Sequence, residues 1–117
     1  MAFKFEKLKV WEKAVELSGE ISDLVKTFPK DELYVLTSQI KRAGDSIALN
    51  IAEGSTGQST PEFKKFLGYS VRSSIEVVGC LFLARRRSLI TEEDFTKFYE
   101  RLTDLIKGIQ ALRNSLK

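Results

Sequence analysis

The sequence predicts an all-α chain, an antiparallel up-down-up-down four-helix bundle, and three observations carry that prediction. Apolar residues recur at helical spacing in four long segments, helix start or stop residues bound those segments, and no segment alternates with the period of a strand. The 117 residues fit one domain, 1–117. A chain of this size buries roughly two thirds of the surface its unfolded form exposes, so a real core is within reach.

The first helix is expected over about residues 8–27, with Trp11, Ala14, Val15, Ser18, Ile21 and Val25 on one side. Phe28-Pro29 stops it, because proline disfavours helix in its predecessor. The second is expected over about 31–53. Asp31 and Glu32 suit the positive end of its dipole, and Gly54 stands where a helix C′ residue is expected.

Two stripes run along this second helix. Leu36, Ile40, Ala43, Ile47 and Ile51 form an apolar one, and Gln39, Arg42, Ser46, Asn50 and Glu53 form a polar one beside it. A solvated helix face usually carries interchangeable Lys and Glu, whereas this stripe spaces two amides, a guanidinium, a hydroxyl and a carboxylate. Because a buried polar group is costly unless paired, such a stripe reads as a hydrogen-bonded network at the core edge, within one bundle or across a subunit boundary. Direct ligand contact is the competing reading.

Residues 55–59 (STGQS) read as a linker. Ser59, Thr60, Pro61 and Glu62 then offer a capping box with proline in the first turn. The third helix follows over about 61–86, carrying Phe63, Phe66, Leu67, Val71, Ile75, Val78, Leu81 and Phe82. Thr91 caps a fourth over about 92–115. Its Phe95, Phe98, Leu102, Leu105, Ile109, Leu112 and Leu116 keep the heptad spacing of knobs-into-holes packing, widened by Tyr99 and Ile106. Each large apolar side chain gains about 1.5–3 kcal/mol by burial.

The chain has no histidine, which excludes Ser-His-Asp and Cys-His nucleophile systems, histidine acid-base pairs and histidine metal ligands. Cys80 is the sole cysteine, so no intramolecular disulfide can form; among Val77, Val78, Leu81 and Phe82 it reads as a small buried hydrophobe. Glu53 and Glu76 face each other at most as two carboxylates, a weak metal site. Gly54-Ser55-Thr56-Gly57 lacks the Gly-Lys-Ser/Thr ending of a phosphate loop and follows no strand. No catalytic residue, metal or cofactor is expected.

Net charge is +3, from 19 basic and 16 acidic residues, but it is unevenly spread: 61–87 carries +4 and 31–60 carries −2. Lys64, Lys65, Arg72, Arg85, Arg86 and Arg87 lie along the third helix as candidate nucleic-acid contacts. The alternative for the arginine run is a solvated helix end that complements the dipole. The N-terminal MAFKFEKLKVW has no apolar signal core and no run approaches 18 apolar residues, so a cytoplasmic protein without a membrane span is expected.

Trp11 after Leu8 and Val10, Phe28-Pro29 with Glu32, Tyr34, Leu36 and Gln39, then Arg42-Ala43, Ser46-Ile47 and Asn50-Ile51-Ala52-Glu53-Gly54 form a pattern that resembles the 23S rRNA intervening-sequence protein family, also called the four-helix bundle protein family. The match continues through Phe63, Phe66-Leu67, Ser73 and Glu76. The resemblance implies the antiparallel bundle, assembly into a homopentameric ring, and a structural role for Gln39, Arg42, Ser46, Asn50, Glu53, Gly54, Ser73 and Glu76. A related accessory protein of diversity-generating retroelements, similar in fold and pentameric form, binds nucleic acid and associates with a reverse transcriptase, which implies RNA binding by analogy. Arg72 departs from the small glycine common in the family at that place.

The expected function is therefore a non-enzymatic homo-oligomer that binds RNA or another nucleic acid through a basic surface. The alternative is a scaffold that docks a protein partner with little nucleic-acid contact.

Overall fold

Four long α-helices carry the chain in the computed structural model, which describes residues 3–57 and 59–117. Met1, Ala2 and Gln58, included in the N-terminal and linker readings, lie outside the described residues. The helices are α1 (Lys9–Leu24), α2 (Ser38–Ser55), α3 (Thr60–Arg86) and α4 (Glu92–Ser115), and no strand occurs among the described residues. At about 1.5 Å per residue, α3 alone nearly spans the 44 Å long axis.

The apolar pattern explains the packing. Leu36, Ile40, Ala43, Ile47 and Ile51 are all buried, and they meet Ala14, Leu17 and Ile21 of α1, Phe63, Leu67 and Leu81 of α3, and Phe98, Leu102 and Ile109 of α4 in one core. α2 packs most extensively on α3, α3 also on α4, and α1 on α2, with a lesser contact between α1 and α4. By length and composition α3 could cross a membrane. Here Phe63, Leu67, Val71, Val77 and Leu81 pack into the shared core, while Tyr69, Ile75, Phe82 and Leu83 stay exposed.

The N-caps of α3 and α4 act as read. Ser59 Oγ accepts from the Glu62 N–H at 3.2 Å, and Thr91 Oγ1 accepts from the Asp94 N–H at 3.0 Å. The end of α3 closes as a Schellman motif: Ser88 N–H donates to the Arg85 carbonyl at 3.0 Å and Leu89 N–H to the Ala84 carbonyl at 2.9 Å. Ser88 holds the left-handed position with φ 58°.

Four details differ from the sequence pattern. Regular α1 stops at Leu24 and a 3₁₀ turn, Val25–Thr27, leads to the Phe28-Pro29 corner. Regular α2 starts only at Ser38, after a 3₁₀ turn (Lys30–Glu32) and a π-turn (Leu33–Thr37), a widened i→i+5 geometry that needs no special side chain. Gly54 is no C′ residue: it lies inside α2, and a Cβ there would sit 2.5 Å from Phe66 Cβ. Finally, Val15, Ile75, Phe82 and Tyr99 are exposed while Leu17 is buried, because the buried arc is narrower than the apolar pattern and, in α1, is turned toward Leu17 and away from Val15.

Candidate functional site on the face of α2 and α3

Small side chains bring α2 and α3 together. Ser70 is fully buried and donates to the Ile47 carbonyl at 2.6 Å, while Ser74 donates to the Ser70 carbonyl at 2.9 Å. Outward of this seam lies the polar stripe. Ser46 Oγ accepts from Ser73 Oγ at 2.9 Å and from Asn50 Nδ2 at 2.8 Å, and Asn50 Nδ2 also reaches the Ser46 carbonyl at 2.8 Å. Gln39 Nε2 points to Glu76 Oε2 at a long 3.5 Å.

The stripe therefore divides. Ser46, Asn50 and Ser73 form a half-buried knot between two helices, whereas the Arg42 and Glu53 side chains are exposed and find no hydrogen-bond partner among the described residues. Gln39 meets Glu76, and Glu53 lies 14 positions further along the chain. That is about 21 Å of helix, so the two carboxylates cannot share an ion. No cluster of three metal-ligating side chains exists among the described residues.

An open groove of about 670 Å³ runs along this face, lined by Tyr34, Val35, Ser38, Gln39, Arg42, Ala43, Ser46, Ser73 and Glu76. Tyr34 at its mouth is 90% exposed and Leu49, next to the stripe, is 66% exposed. Val35, Ser38 and Leu49 escape the stripe pattern. The signal for Leu49 is a large apolar residue off the apolar stripe, on the arc that periodicity assigns to solvent.

The six basic candidates do not make one strip. Lys65, Arg72 and Arg86 are exposed and share the outward ridge of α3, recurring with Gly79 every seven residues. Lys64 is half-buried, and its backbone carbonyl accepts from Arg113 Nε of α4 at 2.9 Å. Arg85 is drawn inward: its guanidinium lies 3.9 Å from the Phe95 ring centre and 5.0 Å from that of Phe82, and 3.7 Å from Glu92. Arg87 grips Glu32 with contacts of 3.0 and 3.2 Å, tying the end of α3 to the α1–α2 connection.

Cys80 is buried, and burial first, then the charge of Glu76, raises its thiol pKa. A thiol so placed is a poor nucleophile.

Fold and face together define a class: a small all-α protein with four helices, whose most elaborated surface is a polar and apolar groove between two of them. The chain belongs to the 23S rRNA-intervening sequence protein family, whose description matches residues 6–111. Its fold is also similar to a crystal structure of a protein of unknown function from the S23 ribosomal protein family of Bacteroides thetaiotaomicron. The two chains are 27% identical with a TM-score of 0.84, over 91% of this chain and 96% of the other. No curated protein matches the chain.

Proposed function

We propose that this chain is a non-enzymatic subunit of a cytoplasmic homo-oligomer, an antiparallel up-down-up-down bundle that binds RNA through the outward ridge of α3. The observation that carries the RNA reading is that ridge. Lys65, Arg72 and Arg86 stand exposed on it with no acidic partner among the described residues. Seven-residue spacing puts Lys65 about 10.5 Å from Arg72 along the axis, and Arg86 about 21 Å beyond Arg72. Membership of a family named for an rRNA insertion agrees with such a partner.

Self-association rests on the groove. Arg42 and Glu53 lack partners within the protomer's described residues, and Tyr34, Val35 and Leu49 leave apolar area in water. The pairing of Gln39 with Glu76 and of Ser46 with Ser73, one number rising as the other falls, supports the antiparallel arrangement. A ring of five, as the family resemblance implies, would carry 5 × 3 = 15 positive charges from the +3 of each chain. Repeated ridges would then release several counterions at once.

The test is binding of nuclease-treated protein to a structured RNA across a salt titration. Affinity falling steeply with salt is expected, and Lys65→Gln, Arg72→Gln and Arg86→Gln together should flatten the slope. An unchanged slope in that variant would remove the ridge from the interface. Absence of binding at low salt would refute the RNA reading and favour docking of a protein partner in the mixed groove.

A further inference from the structure

A second cavity lies where the chain turns from α1 into α2. It is a cup of about 240 Å³ under the Phe28-Pro29 corner, sharing no lining residue with the α2–α3 groove. Three lysines border it: Lys26 from the 3₁₀ turn after α1, Lys30 just past the corner and Lys41 from the start of α2. Ser22 adds a hydroxyl, Val25, Phe28, Pro29 and Leu33 form an apolar wall beneath the lysine rim, and none of the lining residues is acidic. Lys26 Nζ has one acidic neighbour, Asp23 at 3.1 Å, and both side chains are about three-quarters exposed. Such a pair is weak, and an anion competes for the lysine.

Thr37 completes the cup. It is only 8% exposed, and its Oγ1 is a buried side-chain atom without a hydrogen-bond partner. A helical threonine either faces solvent or bonds back to the carbonyl four residues earlier. In the π-turn this one makes no such bond. A buried hydroxyl without a partner is costly, and here it stands beside a cavity with a cationic rim.

We propose that this cup binds the phosphate group of a phosphomonoester, with Lys26, Lys30 and Lys41 meeting its charge and Thr37 turning about χ1 to donate to one of its oxygens. Phosphate fits better than carboxylate because three ammonium groups and two hydroxyls outnumber the sites of a single-charged, two-oxygen acceptor. A dianion with three terminal oxygens uses them. The cup is smaller than the roughly 300–1,000 Å³ of a drug-sized ligand site. It therefore takes the phosphate and the first atoms of its ester, and the body of the ligand lies outside. That body belongs either to a small nucleotide-like molecule or to the phosphorylated end of an RNA chain. Binding of a small phosphate here does not depend on the α3 ridge.

The experiment follows backbone amide shifts of the full chain during titration with inorganic phosphate and with adenosine 5′-monophosphate, at constant ionic strength. Saturable shifts confined to residues 22–41 are expected, weakened about fivefold by either Lys30→Gln or Lys41→Gln and abolished when Lys26→Gln is added to both. Thr37→Val should weaken phosphate binding while leaving the thermal midpoint in phosphate-free buffer equal or higher. A residue serving packing alone would leave the phosphate affinity unchanged. No shifts in 22–41, or shifts that sodium chloride reproduces, would overturn the proposal. With the site present, a short RNA bearing a 5′-phosphate is compared with its 5′-hydroxyl form. Tighter binding of the phosphorylated RNA, lost in the triple variant, assigns the cup to an RNA end; equal binding of the two, with the monophosphate still bound, assigns it to a free small molecule.

Discussion

Gly54 is a position where a single missing carbon sets how closely two helices approach. The sequence marks it as a glycine near a helix end, and the left-handed C′ role follows naturally from that mark. The physical reason is different, since Phe66 Cβ occupies the space a Cβ at Gly54 would need. A one-dimensional pattern cannot contain that contact, because 54 and 66 meet only after α3 folds back on α2. Gly54→Ala should destabilise the protein by about 1–3 kcal/mol, the cost of overpacking, read as a lower urea midpoint. Gly79→Ala is the control: the position is helical, and a Cβ added there would meet nothing within 4 Å. That variant should gain about 0.5–1 kcal/mol from propensity. The polar stripe is legible in a similar, partial way. Its residue types announce specific partners, but which of them pair inside the protomer depends on Ser73, which periodicity alone does not connect to Ser46.

Helices announce their ends through side-chain chemistry, and where that chemistry is present the boundaries are legible: Ser59 and Thr91 cap α3 and α4 within a residue of their expected starts. The heptad seam of α4 is buried from Phe95 to Ile109, with Leu112 and Leu116 packed at its margin. The α1–α2 connection is not legible, since 3₁₀ and π-turns are chosen by tertiary packing and leave no motif. Nor is the exit of α3. Ser88 there adopts a conformation that glycine adopts freely and serine at a cost. Ser88→Gly should therefore stabilise the fold by about 1 kcal/mol, seen as a higher thermal midpoint. A fall would mean that the Ser88 side chain contributes something the backbone geometry does not.

For the whole molecule, the sequence predicts a core and the core is there, while Tyr34 and Val35 at the α2–α3 groove and Leu49 beside it stay exposed. Leu49 is exposed and stands outside the core, so Leu49→Glu should leave helicity and the thermal midpoint nearly unchanged. If self-association uses the groove together with the Leu49 surface beside it, the variant should sediment as a smaller species than the parent; an unchanged sedimentation coefficient would remove the Leu49 surface from that face. Assembly is beyond the reach of periodicity because an arc facing water and an arc facing a second copy look the same along one chain. The π-turn at Leu33–Thr37 sits between the groove and the cup and gives the two a common hinge pin. A π-turn is an α-turn with one residue too many. Deleting that residue would let the helix run straight through, and everything ahead of it would swing by about 100°. Tyr34 would leave the groove and Lys30 the cup together, and because Leu36 and, ahead of it, Ala14, Leu17, Ile21 and Phe28 belong to the core, one missing codon would unseat α1 along with both surfaces.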